Sequence, residues 1–234
     1  MPKTSDIQVT SLKVLTYGKS GTGKTFSLDT LPKPIFIYSF DPGGLVSLRG
    51  CSDIEYYEPA DFKDFDRHLE KELKLGEFKS LAIDSLTTLA EIIMLHVQGL
   101  SGKSASKITK IPTQNDWMNQ MSLAQQVLNH LFDLPLHTVV TAHEELLKDE
   151  ISGKILGVPL ITGKLKFKLP LYFSEVYHAR VQKTGADHKY VFMTKDDALY
   201  GAKSRMASRP VNPKDPILQF EDQNYAKIWQ KGGK

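Results

Sequence analysis

The stretch from Gly18 to Thr25, GKSGTGKT, constrains this chain more than any other. It satisfies the pattern G-x-x-x-x-G-K-[ST] at every required position, and that pattern works as a loop that leaves a strand and opens a helix. The flanks agree: Leu12 to Tyr17 alternates and carries β-formers, and Lys24 to Leu28 can open a helix. The chemistry follows from the geometry. Glycines let the backbone wrap a phosphate chain with its N–H groups turned inward, so Gly18, Lys19, Ser20, Gly21, Thr22 and Gly23 are the expected cradle. Lys24 reaches the terminal phosphates and Thr25 ligates Mg²⁺.

With 234 residues, 41% of them hydrophobic, the chain can bury the core of one α/β domain. We expect a single domain over 1–234, with a core from about 12 to 210 and a tail from about 211 to 234. The 30 basic and 27 acidic residues leave a net charge of +3, so any nucleic-acid surface must come from local clustering. A single cysteine, Cys51, rules out an intrachain disulfide and a cysteine-rich zinc site. With neither a signal-like N-terminus nor a spanning apolar run, the chain reads as cytoplasmic and off the membrane.

Apolar runs ending in polar residues then mark the order of a parallel sheet. Ile35 to Phe40 is a nearly continuous apolar run that ends at Asp41-Pro42-Gly43-Gly44. Open α/β sheets bind ligands at the carboxyl ends of their strands. Asp41 is therefore either a base or water-positioning group, or the first residue of a Pro-Gly turn. The segment 61–75 reads as a surface helix. Phe78 to Ser85 is a short strand ending in Asp84, which can hold the water shell of the Mg²⁺ that Thr25 also meets, or merely cap the helix from Leu86 to Val97. Asp116 to Phe132 has near-helical spacing, with Trp117, Met121, Leu123, Ala124, Val127, Leu128 and Leu131 as expected core. Leu136 to Ala142 is a further buried strand, ending at His143, where a polar side chain can contact a γ-phosphate.

Three segments are basic and lack acidic residues. Residues 98–115 carry Lys103, Lys107 and Lys110 in a long polar loop, a composition suited to a phosphate backbone or to solvent alone. Residues 151–174 carry Lys154, Lys164, Lys166 and Lys168 among apolar residues and glycines, expected as a hairpin or flexible loop. Glu175 to Gln182 and Lys189 to Thr194 read as two strands joined near Gly185, and a third basic patch with Lys203 and Arg205 follows. Extended spacing aims the side chains of Lys203 and Arg205 to one face.

In this order, the GKSGTGKT loop, the strand ending FDPGG, the SLAIDS strand, the VVTAHEE strand and the terminal KSR segment resemble the phage AAA-like ATP-binding proteins of RecA-like fold, and most closely their Sak-type single-strand annealing branch. The resemblance runs from about residue 12 to about 210. It implies a RecA-like P-loop core with a mostly parallel central sheet, helices on both faces and a C-terminal β-hairpin region. It further implies ATP and Mg²⁺ as cofactors, slow or DNA-stimulated hydrolysis, and single-stranded DNA as ligand. A homo-oligomer with nucleotide at the subunit interface, a single-strand binding protein as partner, and the host cytoplasm if phage-encoded follow from the same likeness. Asp84 matches the Mg²⁺-associated carboxylate and His143 the polar switch residue. Asp41 stands where the family's recombinase carries glutamate as catalytic base, and Lys203 and Arg205 match residues that reach a neighbour's γ-phosphate. The alternatives are a P-loop ATPase serving as an assembly or regulatory module without DNA contact and, without an arginine-rich lid to support it, a nucleotide kinase.

Overall fold

The computed structural model describes residues 10–100, 102, 111–148, 150, 153–185, 187–205 and 220–232. The strands, in chain order, begin with β1 (Lys13–Tyr17), β2 (Ile35–Ser39), β3 (Ile54–Tyr57), β4 (Ser80–Asp84) and β5 (His137–Ala142). A hairpin of β6 (Glu144–Lys148) and β7 (Ile155–Pro159) follows, and then β8 (Glu175–Thr184), β9 (Asp187–Met193) and β10 (Phe220–Asp222). The helices are α1 (Lys24–Ser27), α2 (Phe62–Arg67), α3 (Leu86–Val97), α4 (Gln114–Asp133), α5 (Leu165–Tyr172) and α6 (Tyr225–Gly232).

The central sheet runs β10-β9-β8-β1-β5-β4-β2-β3, with β6 and β7 forming a separate pair. Every pairing from β8 to β3 is parallel, while β9 is antiparallel to both β8 and β10. Parallel strands buried on both faces read as continuous apolar runs, which is why β2 and β4 are buried along their whole length. Successive side chains of a strand point to opposite faces. Leu15, Phe36, Tyr38, Leu81, Ile83 and Val140 accordingly pack on the side of α2, α3 and α4, whereas Val14, Ile35, Ile37, Ala82 and Val139 face Leu28 after α1 and Tyr225 and Ile228 of α6. The strand that feeds the glycine loop lies beside β5, and β4 lies beyond β5, within the mostly parallel sheet that the resemblance implied.

The order of the sheet brings four separate segments to one edge. Tyr17 is level with Ala142, and Ser39 is level with Asp84, so the loop after β1, Asp41, Asp84 and His143 all emerge at the carboxyl ends of neighbouring strands.

Several local expectations changed. The expected hairpin is present in part, since β7 pairs antiparallel with β6, but 165–172 is helical despite Pro170. Trp117 is 39% exposed on α4 and is not core, while Ala124, Val127, Leu128 and Leu131 are buried as expected. The strand β3 carries no apolar run, and its reading depends on the pairing with β2. The last helix, α6, docks on the sheet through Tyr225, whose hydroxyl lies 2.7 Å from that of Thr16. No helix among the described residues is long and apolar enough to cross a membrane.

Candidate nucleotide site

The loop between β1 and α1 owes its shape to close contact and to backbone sign. Gly18 lies against the carbonyl of Ala179 on β8, so a side chain there would collide with backbone. Gly23 sits at φ 83°, a left-handed conformation that favours glycine. Directly after Gly23, Lys24 folds its chain back over the loop and is only 7% exposed, its Nζ donating to the carbonyls of Gly18 and Lys19 at 2.8 Å each. Burial pulls the Lys24 ammonium below the ordinary lysine value, and Asp84, Asp41 and Glu144 push the other way. Its charge is thus held at the loop, already largely stripped of water.

Beside the loop the Thr25 hydroxyl donates to Asp84 Oδ2 at 2.8 Å, and Thr141 on β5 donates to Asp84 Oδ1. Asp84 is 2% exposed. Burial pushes its carboxyl above the usual range, against the hydroxyls of Thr141 and Thr25, which favour the ionised form. This pair suits magnesium. Mg²⁺ keeps several waters and takes few protein ligands when phosphates complete its octahedron, so a hydroxyl and a carboxylate beside a phosphate loop are an appropriate donor set. A dedicated cage of three or more His, Cys, Asp or Glu side chains is absent among the described residues.

Asp41 is both a turn residue and a cleft residue. Its carbonyl accepts from Gly44 N at 3.1 Å to close the Pro-Gly turn, while its carboxylate points into the cleft. There Oδ1 accepts from Ser85 at 2.8 Å and from Thr88, and Oδ2 lies 3.2 Å from His143 Nε2. Burial raises the Asp41 carboxyl, but hydrogen bonds from His143, Thr88 and Ser85 outweigh it and hold the group below the usual carboxylate range. His143 is tied in turn to α3: its N–H donates to Thr87 Oγ1 at 3.0 Å, and Thr87 donates to the carbonyl of Leu160, just past β7, at 2.9 Å. The next residue, Glu144, turns inward to His178 at 2.7 Å and lies 3.9 Å from Lys19.

The whole cleft measures about 1090 Å³ and is lined by Ser20, Gly21, Gly23, Lys24 and Thr25 on its floor. Asp41, Asp84, Thr88 and His143 form one wall, and Lys189, Tyr190, Asp222 and Gln223 the other. The structure therefore joins Lys24, Thr25, Asp41, Asp84 and His143 in one site. Ser85, Thr87, Thr88 and Thr141 were missed as site residues; their signal is a hydroxyl at a strand end or in the first turn of the following helix. Tyr190 and Gln223 left no local signal.

The other expected site residues lie elsewhere. Lys154 is exposed just before β7, Lys164 is exposed at the N-cap of α5 and Lys168 on the helix, while Lys166 pairs with Glu145. Lys103, Lys107 and Lys110 lie outside the described residues. Lys203 exchanges backbone hydrogen bonds with Val176 at 2.8 and 2.9 Å, and Arg205 N donates to Glu175 Oε1 at 2.8 Å. Val176 is level with Leu15, so this pair stands back from the Gly18 end of β1 and does not line its own chain's cleft.

The solved structures similar to the chain include a KaiC-like protein and a recombinase. A KaiC-like protein from the hyperthermophilic archaeon Pyrococcus horikoshii OT3 aligns at 16% identity with a TM-score of 0.48, over 78% of this chain and 77% of that one. The RadB recombinase aligns at 14% identity with a TM-score of 0.43, over 77% of this chain and 80% of its own. No curated protein matches the chain at a significant level. The profile of an AAA domain family matches residues 10–206, the stretch that holds the glycine loop, Asp41, Asp84 and His143. The chain thus belongs to the AAA_24 family of AAA domains, nucleotide-binding ATPases of the P-loop type.

Proposed function

We propose that the chain is an ATP-binding, RecA-like recombination protein of the phage single-strand annealing branch, which binds single-stranded DNA and promotes annealing or pairing with ATP hydrolysis as its switch. Bound ATP with Mg²⁺ would supply the transferable γ-phosphoryl group and the metal charge that offsets its oxygens. In this reading Lys24 binds the terminal phosphates, and Thr25 and Asp84 hold the metal and its waters. Asp41 orients the attacking water. Its depressed carboxyl makes it a weak base, which fits slow turnover. Lys203 and Arg205 act in trans, on the γ-phosphate held by the next copy of the chain, so that ATP becomes part of the subunit interface.

The observation that carries the DNA reading is the connection from the γ-phosphate end to a basic surface. His143 touches Asp41 and leads into the β6–β7 hairpin, and α5 follows. Lys164, Phe167, Lys168 and Leu171 recur at helical spacing along one exposed face of α5, with Phe167 56% exposed. Cations for a phosphate backbone beside an open aromatic ring suit single strands. Phe173, by contrast, is buried and belongs to the core. Fluorescence anisotropy with labelled single-stranded and duplex DNA, with and without ATP and Mg²⁺, tests the proposal. Tighter binding to single strands in the ATP state is expected. Failure to bind DNA at low salt in any nucleotide state would leave an assembly or regulatory ATPase instead.

A further inference from the structure

The cleft has two ends, and only one of them is equipped for phosphate chemistry. Thr25, Asp84 and Asp41 mark the metal and γ-phosphate end, and the phosphate chain must cross the glycine loop. A nucleotide carries its base at the far end from its γ-phosphate. A nucleotide bound across the loop would therefore carry its base toward the opposite wall, that of β9 and β10.

Tyr190 dominates this wall. It lies on the exposed half of β9, is 50% exposed and lines the cleft. Its ring is set against the loop itself: a Cβ added at Gly23 would come within 2.9 Å of Tyr190 Cδ1. Gln223 fixes the spacing, because its Nε2 donates both to the carbonyl of Thr22 in the loop, at 2.8 Å, and to the carbonyl of Val191, next to Tyr190, at 3.2 Å. The same amide also abuts Gly23, since an added Cβ there would stand 2.6 Å from Gln223 Oε1. One side chain thus ties the strand that carries the ring to the phosphate loop. It comes from a segment beyond the 10–206 stretch that the family profile matches.

We propose that Tyr190 is the base platform of this site, a ring on which the nucleobase of a nucleoside triphosphate stacks, with Gln223 as the positioning residue that holds it at the loop. The inference rests on the ATP reading above and adds the residue that recognises the nucleoside. Aromatic rings stack on any base, since each base presents a π-face.

Calorimetric titration separates base from phosphate. Mg·ATP and Mg·tripolyphosphate, the latter without nucleoside, are titrated into the wild type, Tyr190→Ala and Tyr190→Phe. Because Tyr190 is half exposed, neither variant removes core. The expected result is about a tenfold loss of ATP affinity in Tyr190→Ala, with tripolyphosphate affinity unchanged and Tyr190→Phe close to wild type. Unchanged ATP affinity in Tyr190→Ala overturns the proposal, as does an equal loss for both ligands. A wild type that binds tripolyphosphate as tightly as ATP overturns the base platform and leaves the phosphate site standing. A wild type that binds neither overturns both.

Discussion

On the wall built by β2, β4 and β5, the carboxylates of Asp41 and Asp84 are clasped by the hydroxyls of Thr25, Ser85, Thr88 and Thr141 and by the ring of His143. The facing wall of β9 and β10 offers a half-exposed tyrosine ring, a side-chain amide and the Lys189–Asp222 ion pair, which at 2.9 Å still stands largely in solvent. Removing charge from the first wall leaves oriented hydroxyls without the partner they were arranged for, whereas trimming the second removes only contact surface. The first wall is therefore suited to chemistry and the second to recognition. Between them, Lys24 serves both.

The largest effect should come from the shared floor. Lys24→Ala removes a buried ammonium from the phosphate site and should cost about 4 kcal/mol of ATP binding, roughly a thousandfold in affinity. Isothermal titration measures it, and an unchanged affinity would mean that neither wall belongs to a nucleotide site. Next, Asp41→Asn should lower turnover about a hundredfold while ATP binding is largely kept, since its group acts in the chemical step. Asp84→Asn should instead weaken Mg²⁺-dependent hydrolysis and raise the Mg²⁺ concentration it needs. A steady-state assay across Mg²⁺ concentrations distinguishes the two, and full activity in Asp41→Asn would return that residue to its turn.

The same two carboxylates should differ in sign when stability is measured. Asp41 has a folded pKa below its unfolded value of 3.8, so its stabilisation is present above that pH and is lost as pH falls through the lower folded value. Asp84 has a folded pKa raised above 3.8, so its contribution is present below that pH and is lost as pH rises through the folded value. At neutral pH, nucleotide-free Asp41→Asn should thus lose about 2 kcal/mol, the worth of hydrogen bonds to a charged group, whereas Asp84→Asn should melt no lower than wild type. Denaturation at pH 7 compares them, and losses of equal size would erase the contrast within this wall.

Smaller effects lie farther from the cleft. In light scattering without DNA, the double variant Lys203→Ala/Arg205→Ala should lose the ATP dependence of assembly, about tenfold in the concentration needed, with ADP and nucleotide-free behaviour unchanged. Assembly indifferent to nucleotide in the wild type would end the trans role. The smallest change is expected at α5, where Lys164→Ala/Lys168→Ala should reduce the salt slope of single-strand binding by about 1.4, the release of two counterions. An unaltered slope would place the DNA surface elsewhere.

Local signals in this sequence were strong wherever the backbone itself imposes a requirement. A left-handed glycine before a lysine, apolar runs that end in aspartate or histidine, and the start of α3 at Leu86 are all short-range consequences of φ angles and side-chain periodicity, and they marked Lys24, Thr25, Asp41, Asp84 and His143 as candidates for one site, which the fold brings to one cleft. The helix α5 was hidden because glycines before it and Pro170 inside it argue locally against a helix, and packing of Leu165 and Leu169 into the core overrides them. Trp117 was assigned inward by spacing, yet the spacing of a single helix does not say how far its apolar stripe is covered. The hydroxyls that clasp the carboxylates, and the amide of Gln223 that reaches Thr22, depend on which strands are neighbours and at what register. Gln223 and Thr22 stand 201 residues apart in the chain. Contact at that separation follows from the order of the sheet, a property of the folded chain that periodicity along the sequence does not carry, so the second wall became visible only in three dimensions.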